Sequence, residues 1–442
     1  MRRKTRRVIA IGVAALSCFL VVAYVFSESK THSLAENSPR NEKSELVRLL
    51  ENHCNTVNAL ENIHLPESSE GILQNAEIRQ IQVVTRHGDR SAIFTTPMTH
   101  SNRFRCPRES DYAKTSESPP LSPCRASQLT RTGCEQHRKL GNFFKRAYGL
   151  SNEDLESKMR ISSTRYQRTI KSAECLVSGL LGDDSFSQSE IHLTSSDCFA
   201  TSDDTDTGYL QRCPRLNSIW ARLKLQLKYV TMATRWDAIR RRVVDFAGGR
   251  SDLSLTAIGD TVYTHYCHLR KSLGDPSVTP CLSPGHCLLE PLTLEVVKAY
   301  DECTTFNYTE EVSILLIQPL VSQIVAQMES VVLGKSDMKF VHYSGHDVTL
   351  MPLLIALGGW KGRRSPYASR IVFELWQKEE DNDNCETSEC RYQVKILYNG
   401  KALSRRGRDV FSFGEFRTWV LDGPLRTVSA YRNACMTGSL ER

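Results

Sequence analysis

The run Ile78-Arg-Gln-Ile-Gln-Val-Val-Thr85 leads straight into Arg86-His87-Gly88-Asp89-Arg90, and this junction constrains the fold more than any other stretch of the chain. Ile78, Ile81, Val83 and Val84 are β-formers, so the run predicts a strand. Gly88 is the residue that a tight turn or a close backbone approach requires. His87 then sits at a strand's carboxyl end, where open α/β sheets place their ligands. Two guanidinium forks beside one imidazole suit a dianion such as a phosphoryl group better than a neutral ligand. A solvated basic turn is the bland alternative, and the strand and glycine argue against it.

A second junction has the same form. Lys339-Phe-Val-His-Tyr343 predicts a short strand, Ser344-Gly345 a turn, and Val348 to Gly358 a helix closed by glycine. Asp347 is expected at or near the N-cap, a common place for aspartate. His346 beside it is harder to explain structurally. Two strand-turn units far apart in sequence predict one cleft built from the ends of neighbouring strands. Helical spacing over 128–148, 169–181, 216–232, 239–246 and 315–333 fills the interval. The expected architecture is α/β: a mainly parallel central sheet flanked by helices, with an inserted, mostly helical cap mainly within 95–310, in a body running from 76 to 442.

These motifs resemble those of the histidine phosphatase superfamily, in its acid phosphatase branch, and the likeness covers about residues 76–402. Leu129-Thr-Arg-Thr-Gly133 is similar to the branch's Leu-Thr-x-x-Gly helix, and Ser163-Thr164-Arg165-Tyr-Gln-Arg168-Thr169 to its arginine-bearing segment. Pro366 to Leu375 and Tyr392 to Gly400 look like its late β-hairpin. The resemblance implies a phosphomonoesterase. Neutral His87 would attack phosphorus in line and form a phosphohistidine. Arg86, Arg90, His346 and a third arginine would hold the equatorial oxygens, and Asp347 would protonate the departing hydroxyl. The family places an arginine directly before its Ser-Thr pair, where this chain has Ser162. Arg165 is therefore the expected third phosphate ligand, with Arg168 expected to be a structural ion-pair former. No residue pattern calls for a metal or an organic cofactor.

Met1 to Arg7 holds five basic residues, and Val8 to Phe26 carries no charge. As a helix that run measures about 28 Å, enough for a bilayer core. The expectation is a cytosolic tail at 1–7, a single N-terminal transmembrane helix at 8–26, a polar lumenal stem at 27–75 with one short helix at 44–60, and a lumenal catalytic body. Cleavage as a signal peptide is the alternative. Taken with the resemblance, this implies a Golgi type II enzyme. Its expected substrate is a phosphorylated xylose in the glycosaminoglycan–protein linkage region of proteoglycans, and Golgi glycosyltransferases are candidate associates. A broader lumenal phosphatase acting on inositol phosphates or lysophospholipids, or a catalytically silent scaffold, stays open.

The net charge of +7 is carried mostly by the five tail residues, which leaves +2 for the rest. That excludes a global electrostatic case for nucleic acid. Arg240-Arg241-Arg242, Arg363-Arg364 and Arg405-Arg406 remain as local basic clusters. Of fifteen cysteines, Cys18 lies in the apolar run, and the other fourteen suit disulfides in an oxidising compartment. Cys385 and Cys390 are the expected pair, while Cys54, in the stem, could join two chains. Asn307-Tyr-Thr309 is a glycosylation sequon, so Asn307 is expected on an exposed loop.

Overall fold

The computed structural model describes residues 39–54, 76–93, 105–108, 112, 121–182, 191–193, 213–246, 253–273, 281–283, 286–287, 290–378, 391–421 and 428–437. The expected tail and transmembrane segment, and the Cys385–Cys390 pair, lie outside these residues. Eight strands form the main sheet. In chain order they are β1 (Ala76–Arg86), β2 (Met159–Ser163), β3 (Ile191–Leu193), β4 (Phe340–Gly345), β5 (Arg370–Lys378), β6 (Tyr392–Tyr398), β7 (Lys401–Ala402) and β8 (Val410–Ser412). Their spatial order is β7-β6-β5-β1-β4-β2-β3, with β8 also on β6.

β1, β4, β2 and β3 run parallel, joined through helices. β5 is antiparallel to β1, and β6 is antiparallel to β5, β7 and β8. The sheet is therefore mixed, which corrects the expectation of a mainly parallel one. The chain returns after β4 and its helix as hairpins, which need no helical crossover and so reverse strand direction.

β1 is flanked on both sides, and its side chains alternate between two cores. Ile81 and Val83 pack with Leu140, Phe144, Leu176 and Leu180 from helices Arg131–Ala147 and Gln167–Leu181. On the other face Val84 packs with Ile324, Met328, Leu350 and Phe416, from helices Glu310–Val332, Asp347–Ala356 and Phe413–Leu421. Glu310–Val332 is long and apolar enough to cross a membrane, but 61% of its most apolar window is buried inside the protein. It is a core helix.

Helices Leu227–Phe246, Leu255–Leu273 and Glu290–Thr305 pack on one another away from the sheet. The helical pattern expected at 216–232 is two helices, Pro214–Lys224 and Leu227–Phe246, because the helix is capped at Leu225. Four disulfides join described residues: Cys54–Cys267, Cys106–Cys124, Cys134–Cys175 and Cys213–Cys435. Cys54 therefore closes a bridge within the chain and does not join two chains. The helix expected at 44–60 within the stem is Pro39–Cys54, and the bridge ties residues 48–54 to the body. They form the end of helix Pro39–Cys54, and Leu50 and His53 are buried.

Candidate functional site

The register of the parallel core sets the site. Arg86, the last residue of β1, lies opposite Gly345, the last of β4, and Ser163, the last of β2, lies opposite Ser344. Three carboxyl ends thus meet at one level. Past the strand, the backbone of the first motif is held on both sides. The His87 amide donates to Gly345 O at 2.9 Å, the Arg86 amide to Ser369 O at 2.9 Å, and the Ala368 amide to His87 O at 3.2 Å. The Gly88 amide donates to Ser172 Oγ at 3.0 Å and the Asp89 amide to Gln136 Oε1 at 2.8 Å.

Two glycines interlock beneath this loop. A Cβ on Gly88 would stand 2.3 Å from Gly133 O, and one on Gly133 would stand 2.1 Å from Asp89 O. Thr130, the N-cap of helix Arg131–Ala147, donates its hydroxyl to the Asp89 carboxylate at 2.7 Å. The Leu129–Gly133 segment is thus the seat on which the first motif is built.

The two imidazoles meet, with ring centroids 5.6 Å apart and planes at 71°. His87 Nδ1 lies 2.8 Å from Gly88 O. A carbonyl only accepts, so Nδ1 carries the proton and Nε2 keeps its lone pair. Burial, then the charges of Arg168, Arg86 and Arg90, hold His87 well below the ordinary histidine pKa, and it is neutral at physiological pH. His346 is held down by the same causes, burial first. Its Nε2 lies 3.0 Å from Thr164 Oγ1 and its Nδ1 3.4 Å from Arg168 Nη2.

Arg86 and Arg90 are 1% and 2% exposed. Arg90 is gripped by Asp260 through Nη2 at 2.7 Å and Nη1 at 3.4 Å. Burial alone would lower its pKa, and the Asp260 carboxylate outweighs that and keeps it charged. Arg86 lies over the Tyr367 ring at 4.3 Å. Arg86 Nε and Arg90 Nε are buried donors that bond to no group among the described residues. A bound anion would satisfy them.

His346 is itself the N-cap of helix Asp347–Ala356, and its amide donates to Thr349 Oγ1 at 3.2 Å. Asp347, expected at or near the cap, is the first helical residue. Its carboxylate meets Arg86 Nη2 at 3.6 Å and is also bonded to Arg364. Burial pushes Asp347 up, but the charges of Arg86 and Arg364 outweigh it and hold the carboxyl well below the usual range. In the free protein it is a carboxylate.

His53 completes the wall. Its Nε2 lies 3.4 Å from Arg86 Nη1, and its ring stands 4.2 Å from that of Tyr263 and 4.8 Å from that of Tyr367. Burial and the charges of Arg86 and Arg364 hold it well below the ordinary value, so it is neutral and accepts from Arg86.

The structure thus brings Arg86, His87, Arg90, His346 and Asp347 together. It does not bring Arg165, which is exposed. β2 ends at Ser163 and the chain turns, so Arg165 points to solvent while Arg168, on the first turn of helix Gln167–Leu181, is 6% exposed and reaches His346. Of the two, Arg168 and not Arg165 is therefore the arginine beside His346. Asn307 lies on the turn before helix Glu310–Val332, with Oδ1 buried. Thr309 of its sequon is that helix's N-cap, accepting from the Val312 amide at 3.3 Å.

Sequence reasoning missed Asp260, Arg364, His53 and Tyr367 as site neighbours. Only Arg364 left a trace, as half of a basic pair. The others reach the site from distant elements and carry no local mark.

The sequence pattern of the histidine phosphatase superfamily (branch 2) matches residues 77–399, most of the chain. The chain belongs to that branch. It is 27% identical to 2-phosphoxylose phosphatase 1 of Xenopus tropicalis over 80% of this chain and 72% of that one. It is also 27% identical to the Homo sapiens protein of the same name, over 72% and 70%, and to lysosomal acid phosphatase of Xenopus laevis, over 71% and 70%. Its fold is that of a multiple inositol polyphosphate phosphatase from Bifidobacterium longum in complex with phosphate, at TM-score 0.51, 11% identity, and 82% and 96% coverage. The protein is a phosphoric monoester hydrolase.

Proposed function

We propose that this phosphatase works through a phosphohistidine on His87, and that its substrate is the 2-phosphate of a xylose in the glycosaminoglycan–protein linkage region. The observation that carries the mechanism is the pair of imidazoles 5.6 Å apart inside a ring of buried arginines. Nε2 of neutral His87 attacks phosphorus, and the P–O bond to the sugar breaks as the N–P bond forms. Arg86, Arg90, Arg168 and His346 hold the equatorial oxygens, where exclusion of water makes their charge most effective. Asp347 delivers a proton to the leaving oxygen. A dianion arriving between Arg86 and Asp347 opposes the carboxylate's charge, and so raises its proton affinity when a proton is needed. Water then displaces the histidine, and Asp347 takes the proton back.

The substrate assignment is supported by the relatives that carry the name 2-phosphoxylose phosphatase. We propose residues 8–26 as a Golgi signal anchor with the catalytic body lumenal, on the strength of the basic tail and the uncharged run. Asn307 is proposed as a glycan acceptor.

The test is a panel of phosphorylated xylosyl oligosaccharide, inositol phosphates and an aryl phosphate, assayed side by side with trapping of an acid-labile phosphoenzyme. The phosphoxylosyl substrate is expected to have the highest kcat/KM, and His87→Ala to abolish both turnover and trapped phosphate. A folded His87→Ala protein with near-normal turnover would refute the nucleophile. An inositol phosphate preferred over the saccharide would refute the substrate.

A further inference from the structure

A cavity of about 500 Å³ lies beside the phosphate site and shares a wall with it. His53 and Arg364 both line it, the first meeting Arg86 and the second bonded to Asp347. The cavity therefore lies behind Arg364, the partner of the proposed proton donor, although Asp347 itself does not line it. Lys361, Arg363 and Lys401 add three cations to Arg364, against the two carboxylates Glu51 and Asp301. Asp301 is engaged by the Tyr263 hydroxyl at 3.0 Å from both oxygens. Trp360 supplies ring surface of the kind on which a hydroxyl-bearing ring packs. The volume is in the ordinary range of ligand sites.

We propose that this cavity is the leaving-group subsite, and that it selects saccharides bearing a second anionic group, carboxylate or sulfate, which Arg364 meets together with Lys361, Arg363 and Lys401. The proposal rests on the phosphomonoesterase reading of the neighbouring site. A small aryl phosphate fills the phosphate site without reaching these cations. An acidic saccharide reaches them and competes with Asp347 for Arg364, so that occupancy of the cavity releases the carboxyl that delivers the proton. Selection and proton delivery then act through one guanidinium.

The test uses the double variant Lys361→Ala/Lys401→Ala, since both residues are exposed and lie outside the phosphate site. Three substrates are compared: an aryl phosphate, a singly phosphorylated acidic oligosaccharide, and the same oligosaccharide with its carboxyl groups reduced. Wild type is expected to prefer the acidic form. The double variant is expected to keep its aryl phosphatase activity within about twofold and to lose about tenfold in kcat/KM on the acidic form alone, as two screened charge contacts would supply. Wild-type enzyme that treats the two saccharides alike, or a variant that loses nothing on the acidic one, overturns the proposal. Wild-type enzyme inactive toward the aryl phosphate as well as both saccharides would instead refute the phosphatase reading. Calorimetric binding of the unphosphorylated acidic oligosaccharide reads the cavity independently of turnover. Wild type is expected to bind it more tightly than the variant, and equal binding, or none, counts against the subsite.

Discussion

Arg168→Ala is the substitution that most directly tests how the phosphate is held. Arg168 is buried, its Nη1 donates to Ser127 Oγ at 2.6 Å, and its Nη2 lies 3.4 Å from His346 Nδ1. Its fork is therefore fixed before substrate arrives. A charge-assisted hydrogen bond contributes about 1.5–3 kcal/mol, so losing a two-pronged contact costs about 3–6 kcal/mol, or roughly 10²- to 10⁴-fold in kcat/KM. The same charge is the largest cause, after burial, holding His87 down. Removing it raises the His87 pKa, so the acidic limb of the kcat/KM profile, which reports the free enzyme, should move to higher pH. Arg165→Ala, at an exposed position, should lie within about twofold of wild type on the magnitudes expected of surface changes. The assay is kcat/KM for an aryl phosphate across pH for all three proteins. Loss in Arg165→Ala exceeding that in Arg168→Ala, or an acidic limb that does not move, would refute the reasoning.

Three further outcomes follow from the geometry. His53→Phe removes one of two acceptors of Arg86 Nη1, the other being Ser365 O at 2.5 Å, and should lower kcat/KM about tenfold, near the lower end for a bond to a charged group because the contact is 3.4 Å; His53→Gln, which can still accept, should recover most of the loss, and equal losses would make the role one of packing. Asp347→Asn should cost about 10²- to 10⁴-fold on a sugar phosphate but far less on an aryl phosphate whose leaving group needs no proton, so equal losses on both would count against a proton donor. Burial holds His137 at about 4 and His342 at about 3, against about 6.5 unfolded. The unfolded chain thus binds protons that the folded one does not, and the stability these residues give is full above about 6.5 and lost as pH falls toward the folded values. Each should contribute about 1.4 kcal/mol per pH unit in that window, and a thermal midpoint that does not fall between pH 6.5 and 4.5 would contradict it.

The strands and their motifs were legible because strand, turn and functional residue are contiguous. Ile78 to Thr85 reads as β, and Arg86 to Arg90 follows without a gap, so local pattern alone located the site's floor. The partner strand and the helix after it were legible for the same reason. What stayed hidden depends on register between distant segments. Asp260 is an ordinary helix residue until its helix is laid beside Arg90. Arg364 looks like half of a surface pair until Asp347 is placed beneath it. Arg165 and Arg168 differ only by where β2 ends and helix Gln167–Leu181 begins, and an error of two or three residues at that boundary chooses the wrong one. His53 was hidden behind composition, since a polar, charged segment reads as a tether.

The bridge between Cys54 and Cys267 has a bearing on how the enzyme survives processing. A cleavage anywhere between residues 55 and 75 would sever the backbone yet leave residues 48–54 covalently attached, with His53 still against Arg86. A nicked, two-piece enzyme should therefore remain active until it meets a reductant, whereas shedding that removes everything before β1 would release a protein lacking part of its own catalytic wall.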